Sequence, residues 1–125
     1  MTHRFACRVY YEDTDLGGIV YYANYLKFIE RARSEWVRDL GIDQLAMKAA
    51  GTVFAVRRIE ADYLSPARFD DLLTVETAVV ERSPARIVLD QTVLRDGPLF
   101  RARVTLVCMG TGGRPTRLPP VLRDM

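Results

Sequence analysis

The sequence contains a single histidine, His3, and this scarcity excludes several kinds of catalytic site. A Ser-His-Asp triad or a Cys-His pair needs an imidazole as its base, and the usual zinc sites draw on histidine or several cysteines. Because His3 lies in the polar N-terminal segment, we expect it on the surface with no role as a ligand or base. Metal-free hydrolysis by a carboxylate, with no cofactor, remains compatible with this composition.

Cysteine and long apolar runs are also scarce. Cys7 and Cys108 lie in separate strand-like segments without CxxC spacing, which predicts buried thiols in a reducing compartment. The N-terminal segment lacks the apolar stretch of a signal peptide, and no run is long enough to span a membrane. We therefore expect a cytoplasmic protein with no membrane span.

Lysine is nearly absent, and the net charge is low. Lys27 and Lys48 stand beside sixteen arginines, and the formal charge of +2 is too small to indicate nucleic acid as a partner. A GC-rich genome would produce this arginine bias. Guanidinium groups also bind phosphates through paired hydrogen bonds, so the count alone leaves both explanations open.

The periodicity of the apolar residues changes once along the chain. Residues 25–40 place them at intervals of three and four, which predicts a long helix ended by Gly41. A short helix is expected over 44–50. Strands are expected where alternation has a period of two, at 5–10 and within 58–63, 74–79, 87–93 and 100–108.

These elements predict one α+β domain spanning residues 1–125. Its architecture would be one strand, one long central helix and an antiparallel meander of four strands, so that a five-stranded sheet wraps around the helix. The tail from Gly110 is rich in glycine and proline, and we expect no regular structure there.

The loop before the long helix carries the strongest candidate site. Asp13 and Asp15 precede Gly17 and Gly18, and glycine lets backbone N–H groups approach a ligand closely. The helix start adds unpaired N–H donors and the positive end of the helix dipole. A carboxylate opposite such donors is what thioester hydrolysis requires. Taken singly, Asp13 and Asn24 are explained as helix caps, and Tyr21, Tyr22 and Tyr25 as packing residues. The order of acids, glycines, aromatic residues and asparagine along the segment favours a functional site.

The run YEDTDLGGIVYYANYL, residues 11–26, resembles the signature of the 4-hydroxybenzoyl-CoA thioesterase family. Its continuation FIERARSEW, residues 28–36, looks closest to the YbgC-like acyl-CoA thioesterases associated with the Tol-Pal system. The resemblance continues weakly to the tail. It implies a hotdog fold and a homodimer joined edge to edge, with active sites between subunits and often doubled to a homotetramer.

The resemblance also implies roles for particular residues. The catalytic carboxylate matches Asp15, and the backbone N–H that stabilises the oxyanion matches Tyr22. Asn24 and Tyr25 match positions that line the substrate pocket, and Gly18 belongs to the same substrate-binding loop. Tol-Pal-associated members usually carry histidine where this chain has Tyr22, a departure that leaves a backbone donor intact.

Arginines near a strand junction are expected to hold the coenzyme A phosphates, partly from a neighbouring subunit. Arg82 and Arg86 flank the Ser83-Pro84 turn and are the first candidates. Ordinary solvated surface charge explains any single arginine equally well. The further candidates are Arg57 and Arg58, followed by Arg114 and Arg117.

Three functions are compatible with these residues. The first is hydrolysis of a short-chain or aromatic acyl-CoA, with Asp15 as nucleophile or general base. The second is a non-catalytic module that binds acyl-CoA or acyl carrier protein. The third is a metal-dependent hydrolase that uses Glu12, Asp13 and Asp15.

Overall fold

The long helix is the centre of the molecule. In the computed structural model, which describes residues 2–125, helix α1 spans Asn24–Asp39 and α2 spans Gln44–Ala49; residue 1 of the predicted domain lies outside the described range. The predicted helices are confirmed to within a residue or two. One face of α1 is buried in the core, and it consists of Tyr25, Phe28, Ile29, Ala32, Trp36 and Val37.

An antiparallel sheet wraps around α1, which confirms the predicted α+β architecture. Its strands are β1 Thr2–Arg8, β2 Val53–Tyr63, β3 Leu72–Arg82, β4 Arg86–Leu94, β5 Pro98–Met109 and the two-residue β6 Pro115–Thr116. The order across the sheet is β1-β3-β4-β5-β2, and β6 pairs with β5. The sheet therefore has the five long strands expected and one short addition.

The predicted four-stranded meander is wrong in one respect. Only β3, β4 and β5 follow one another as neighbours, whereas β2 pairs with β5 at the far edge of the sheet. Alternating hydrophobicity indicates which face of a strand is buried but does not encode its neighbour. The β2–β3 connection passes the start of α1, where Ala67 is fully buried.

The tail is more regular than predicted. It contains β6 and a short helix α3, Pro120–Arg123, with proline in the first turn, where its missing N–H costs no helical hydrogen bond. Leu118 and Leu122 are buried in the core, and the Leu118 N–H donates to the Pro84 carbonyl at 3.0 Å. Two well-spaced leucines therefore order a segment whose glycines and prolines indicated irregular structure.

The expectation of a free surface position for His3 is also corrected. Its side chain is only 18% exposed, and Nε2 lies 2.7 Å from Asp39 Oδ2 at the end of α1. Strand alternation turns His3 inward with Phe5 and Cys7, beneath the helix. The imidazole therefore links β1 to α1.

Helix α1 packs mainly over β1, β3 and β4, so the inner face near β2 is poorly covered. Val56, Ile59 and Tyr63 of β2 are 47%, 38% and 52% exposed, although they occupy apolar positions of a strand. Among residues 2–125, no helix has both the length and the apolar character that a membrane crossing needs.

Candidate functional site

A tight loop holds Asp15 in front of α1. The Asp15 N–H donates to the Ile19 carbonyl at 2.9 Å, and the Gly18 N–H donates to the Asp15 carbonyl at 3.0 Å. Gly18 has φ of 77°, a conformation that glycine adopts without steric cost. The Asp15 carboxylate is exposed, and its Oδ1 accepts the Gly17 N–H at 2.8 Å.

Asp13 is buried behind this loop, and its carboxylate does not cap α1 as predicted. Its Oδ1 accepts the Asn24 side-chain amide at 2.7 Å, and its Oδ2 accepts the Tyr10 N–H at 2.7 Å. Asn24 is buried as well, so its side chain lies behind the site and fixes the loop to α1. The buried pair leaves Asp15 as the exposed aspartate of the loop.

The start of α1 presents open backbone donors beside this loop. Ala23 occupies the N-cap position, and no side chain of residues 2–125 caps the helix. The Asn24 N–H donates to the Tyr21 carbonyl at 2.8 Å, whereas the Tyr22 and Ala23 N–H groups find no acceptor within that described range. Free donors at a helix N-terminus favour negative charge.

An apolar pocket opens at the same end of the molecule. Its volume is about 340 Å³, and its walls consist of Ile19, Val20, Tyr22, Tyr25, Tyr63, Leu64, Ser65 and Pro66. The Tyr25 ring is stacked on Phe100 with centroids 4.9 Å apart, and its hydroxyl accepts the Ala67 N–H at 3.0 Å. This wall is therefore held rigidly from behind.

Tyr63 is a pocket residue that sequence reasoning missed. Its hydroxyl donates to the Tyr22 carbonyl at 2.8 Å, and its ring lies edge-on to Phe100. The available signal was an aromatic residue on the inner face of a strand, immediately before the break at Ser65-Pro66. Partial burial, and then the neighbouring phenols of Tyr22 and Tyr25, raise the pKa of Tyr63.

Tyr21 places a second phenol near the exposed carboxylate. Its pKa is raised first by the hydrogen bond to the Tyr22 hydroxyl, then by the charge of Tyr22, by desolvation and by the charge of Asp15. The Tyr21 N–H donates to the Asp13 carbonyl at 2.9 Å, which joins the acidic loop to the helix start.

The candidate phosphate-binding arginines lie away from this site within one chain. Arg82 and Arg86 are at the opposite end of the sheet, in the rows of Leu106 and Val107, while Tyr63 pairs with Phe100. Six residues along β5 separate these rows by roughly 20 Å. Arg57 and Arg58 lie on the outer edge, at an irregularity in β2, and Arg58 pairs with Glu60 at 3.0 Å.

The acids proposed as metal ligands do not converge. Glu12 is exposed, Asp13 turns inward to Asn24, and Asp15 turns to Gly17. In the part of the chain that the structure describes, no group of three His, Cys, Asp or Glu side chains is arranged to hold a metal ion. The Asp15 carboxylate is therefore exposed and not part of a cluster of acids in the described residues.

Comparison with known proteins places these features in a family context. A family model described as the thioesterase-like superfamily matches residues 9–125. The acyl-CoA thioesterase YbgC of Haemophilus influenzae is 42% identical over 118 residues, covering 92% of this chain and 87% of that protein. The acyl-CoA thioester hydrolase YbgC of Escherichia coli O157:H7 is 40% identical over 108 residues, covering 85% and 81%.

A solved structure supports the same similarity in three dimensions. The crystal structure of a probable thioesterase from Bartonella henselae matches with a TM-score of 0.90 and 38% identity, covering 95% of this chain and 100% of that chain. The structure of a 1,4-dihydroxy-2-naphthoyl-CoA thioesterase from Synechocystis matches with a TM-score of 0.89 at 22% identity, covering 97% and 92%. The second likeness concerns the fold alone.

Proposed function

Because this chain belongs to the thioesterase-like superfamily, has the hotdog fold and is a thioester hydrolase, we propose that it hydrolyses acyl-CoA with Asp15 as the catalytic carboxylate. The observation that carries this proposal is the junction of the Asp15 loop and the helix start. The Asp15 N–H donates to the carbonyl of Ile19, a pocket residue, and the open N–H groups of Tyr22 and Ala23 lie at the same end of the molecule.

The proposed chemistry uses these groups in two ways. The thioester carbonyl oxygen gains negative charge as the carbon becomes tetrahedral, and the Tyr22 N–H, at the positive end of α1, stabilises that charge. Asp15 either attacks the carbonyl carbon, forming an anhydride that water then cleaves, or takes a proton from an attacking water. In both routes the C–S bond breaks and coenzyme A leaves as the thiol.

The pocket favours a small or aromatic acyl group. Its volume of about 340 Å³ and its tyrosine-rich wall suit a compact apolar group that can lie against flat rings. Tyr22, Tyr25 and Tyr63 supply this surface. A short-chain or aromatic acyl-CoA is therefore the proposed substrate class.

We also propose that the chain acts as a homo-oligomer joined along β2. This eleven-residue edge strand carries exposed Val56, Ile59 and Tyr63, and an unpaired apolar edge favours pairing with another strand. If a two-fold axis relates the two copies and their β2 strands pair antiparallel, the partner's sheet runs in the opposite direction along the shared edge. The partner's Arg82 and Arg86 would then lie at the same end of the joined sheet as Asp15, where they can bind the coenzyme A phosphates.

The decisive test measures thiol release from short-chain, long-chain and aromatic acyl-CoAs by the wild-type protein and by Asp15→Asn. Glu12→Gln, at an exposed acid in the same segment, is the matched control. We expect turnover of the compact substrates and a loss of at least about 100-fold in Asp15→Asn alone. Full activity in Asp15→Asn would overturn the assignment. If the folded wild type releases no thiol but binds acyl-CoA or acylated carrier protein, the non-catalytic binding module takes its place.

A further inference from the structure

Tyr63 makes a long-range hydrogen bond to the backbone at the start of α1. Its hydroxyl donates to the carbonyl oxygen of Tyr22 at 2.8 Å, across 41 residues of sequence. Its ring packs edge-on against Tyr25 and Phe100, with centroid distances of 5.6 and 5.0 Å. The hydroxyl is therefore presented from a fixed position at the end of β2, although half of the side chain is exposed.

The acceptor of this hydrogen bond belongs to the peptide that joins Tyr22 to Ala23. The preceding peptide carries the Tyr22 N–H, and its carbonyl, on Tyr21, accepts the Asn24 N–H at 2.8 Å. The two consecutive peptides with open N–H groups are thus each held through their carbonyl oxygen. A backbone group holds the first, and the Tyr63 side chain holds the second.

We propose that Tyr63 is a positioning residue that aims the backbone donors at the start of α1 towards the developing oxyanion. The inference deepens the proposed function and rests on it. Open N–H groups stabilise a transition state only when their direction is fixed before the reaction. A hydrogen bond to the carbonyl of a peptide also polarises its N–H, which strengthens that donor. Tyr63 acts through the Tyr22–Ala23 peptide, so the donor that it fixes directly is the Ala23 N–H, the second open donor beside the Tyr22 N–H.

The test compares Tyr63→Phe with the matched control Tyr11→Phe, which removes an exposed phenol outside the pocket. We expect Tyr63→Phe to lower kcat about tenfold with little change in KM. The loss is smaller than the loss from removing an oxyanion donor, because the backbone N–H groups remain and only their direction is less well fixed. Circular dichroism and thermal unfolding establish that both variants are folded. Incorporation of 4-aminophenylalanine at position 63, which restores a donor in the same place, is expected to recover most of the lost kcat.

Binding of two inhibitors separates positioning from a structural role. A trifluoromethyl-ketone analogue of acyl-CoA forms a tetrahedral adduct that mimics the oxyanion, whereas a thioether analogue does not. We expect Tyr63→Phe to weaken binding of the ketone in parallel with kcat and to leave the thioether unchanged. A kcat equal to that of Tyr11→Phe, or equal weakening of both inhibitors, would overturn the inference. Failure of the proposed function appears independently, as an Asp15→Asn variant with full activity.

Discussion

The Asn24 side-chain amide donates to the buried Asp13 carboxylate at 2.7 Å, and this contact fastens the acidic loop to the first turn of α1. Asp13 also accepts the Tyr10 N–H, so a single carboxylate connects three parts of the chain. The exposed Asp15 lies two residues further on, in the loop that Asp13 holds in place. Asp13 itself does not line the pocket.

Substitution Asn24→Ala leaves one oxygen of the buried Asp13 carboxylate without its partner. We expect a loss of about 1–3 kcal/mol in the free energy of unfolding, measured by urea denaturation. Activity is expected to fall as well, because the Asp15 loop loses one of its attachments to the start of α1. A double-mutant cycle with Asp13→Ala isolates the pairwise contribution. Additive effects of the two substitutions would contradict a coupling between Asn24 and Asp13.

Arg86→Ala tests the proposed phosphate site. We expect KM for acyl-CoA to rise about tenfold, as for loss of one charge-assisted hydrogen bond, with little change in kcat. The same acyl group on pantetheine lacks the nucleotide, so its KM is expected to stay unchanged. Arg101→Ala, on the outer face of β5, serves as the control. A parallel rise in KM for both substrates would remove Arg86 from this role.

Ile59→Lys tests the proposed β2 interface. Ile59 is a partly exposed apolar residue on the edge strand, and burying a lysine between two copies is costly. We expect sedimentation velocity to show a shift from the oligomer towards the monomer, and activity to fall at low protein concentration. Thr92→Lys adds the same charge to β4 and is expected to leave the assembly intact. A wild-type protein that sediments as a monomer would contradict the proposed β2 interface.

Burial raises the pKa of the Cys108 thiol to about 11, which makes stability depend on alkaline pH. The unfolded thiol loses its proton near 9, so the folded state binds more protons between these values. The free energy of unfolding should therefore be unaffected by this group below pH 9 and decrease as the pH rises towards 11. Urea unfolding is expected to show that the free energy of unfolding decreases less steeply with pH in Cys108→Ala than in the wild type. Identical pH dependence of the two proteins would contradict this prediction.

The helix and the acidic loop were predictable because their signals are local. Three- and four-residue spacing defined α1, and the order of acids, glycines and tyrosines indicated the site before any fold was known. Tyr63 escaped because its partner, the Tyr22 carbonyl, is 41 residues away in sequence. Asp13 was misread because its carboxylate accepts hydrogen bonds from the Asn24 side chain and the Tyr10 N–H, which residue spacing does not reveal.

The strand order was the least predictable part of the fold. The β2 pattern is equally compatible with a place beside β3 or beside β5, because alternating hydrophobicity marks the buried face of a strand and not its neighbour. The tail presents the same difficulty, because Leu118 and Leu122 are ordered by a core that other segments build.

The position of β2 also has a consequence for synthesis of the chain. Its sheet neighbour within the described chain, β5, is the last of the long strands, so β2 leaves the ribosome well before that neighbour exists. Long-range strand pairing of this kind is slow and leaves apolar edges open to aggregation. The sheet order therefore requires β2 to wait unpaired during synthesis, and the sheet is complete only after β5 has emerged.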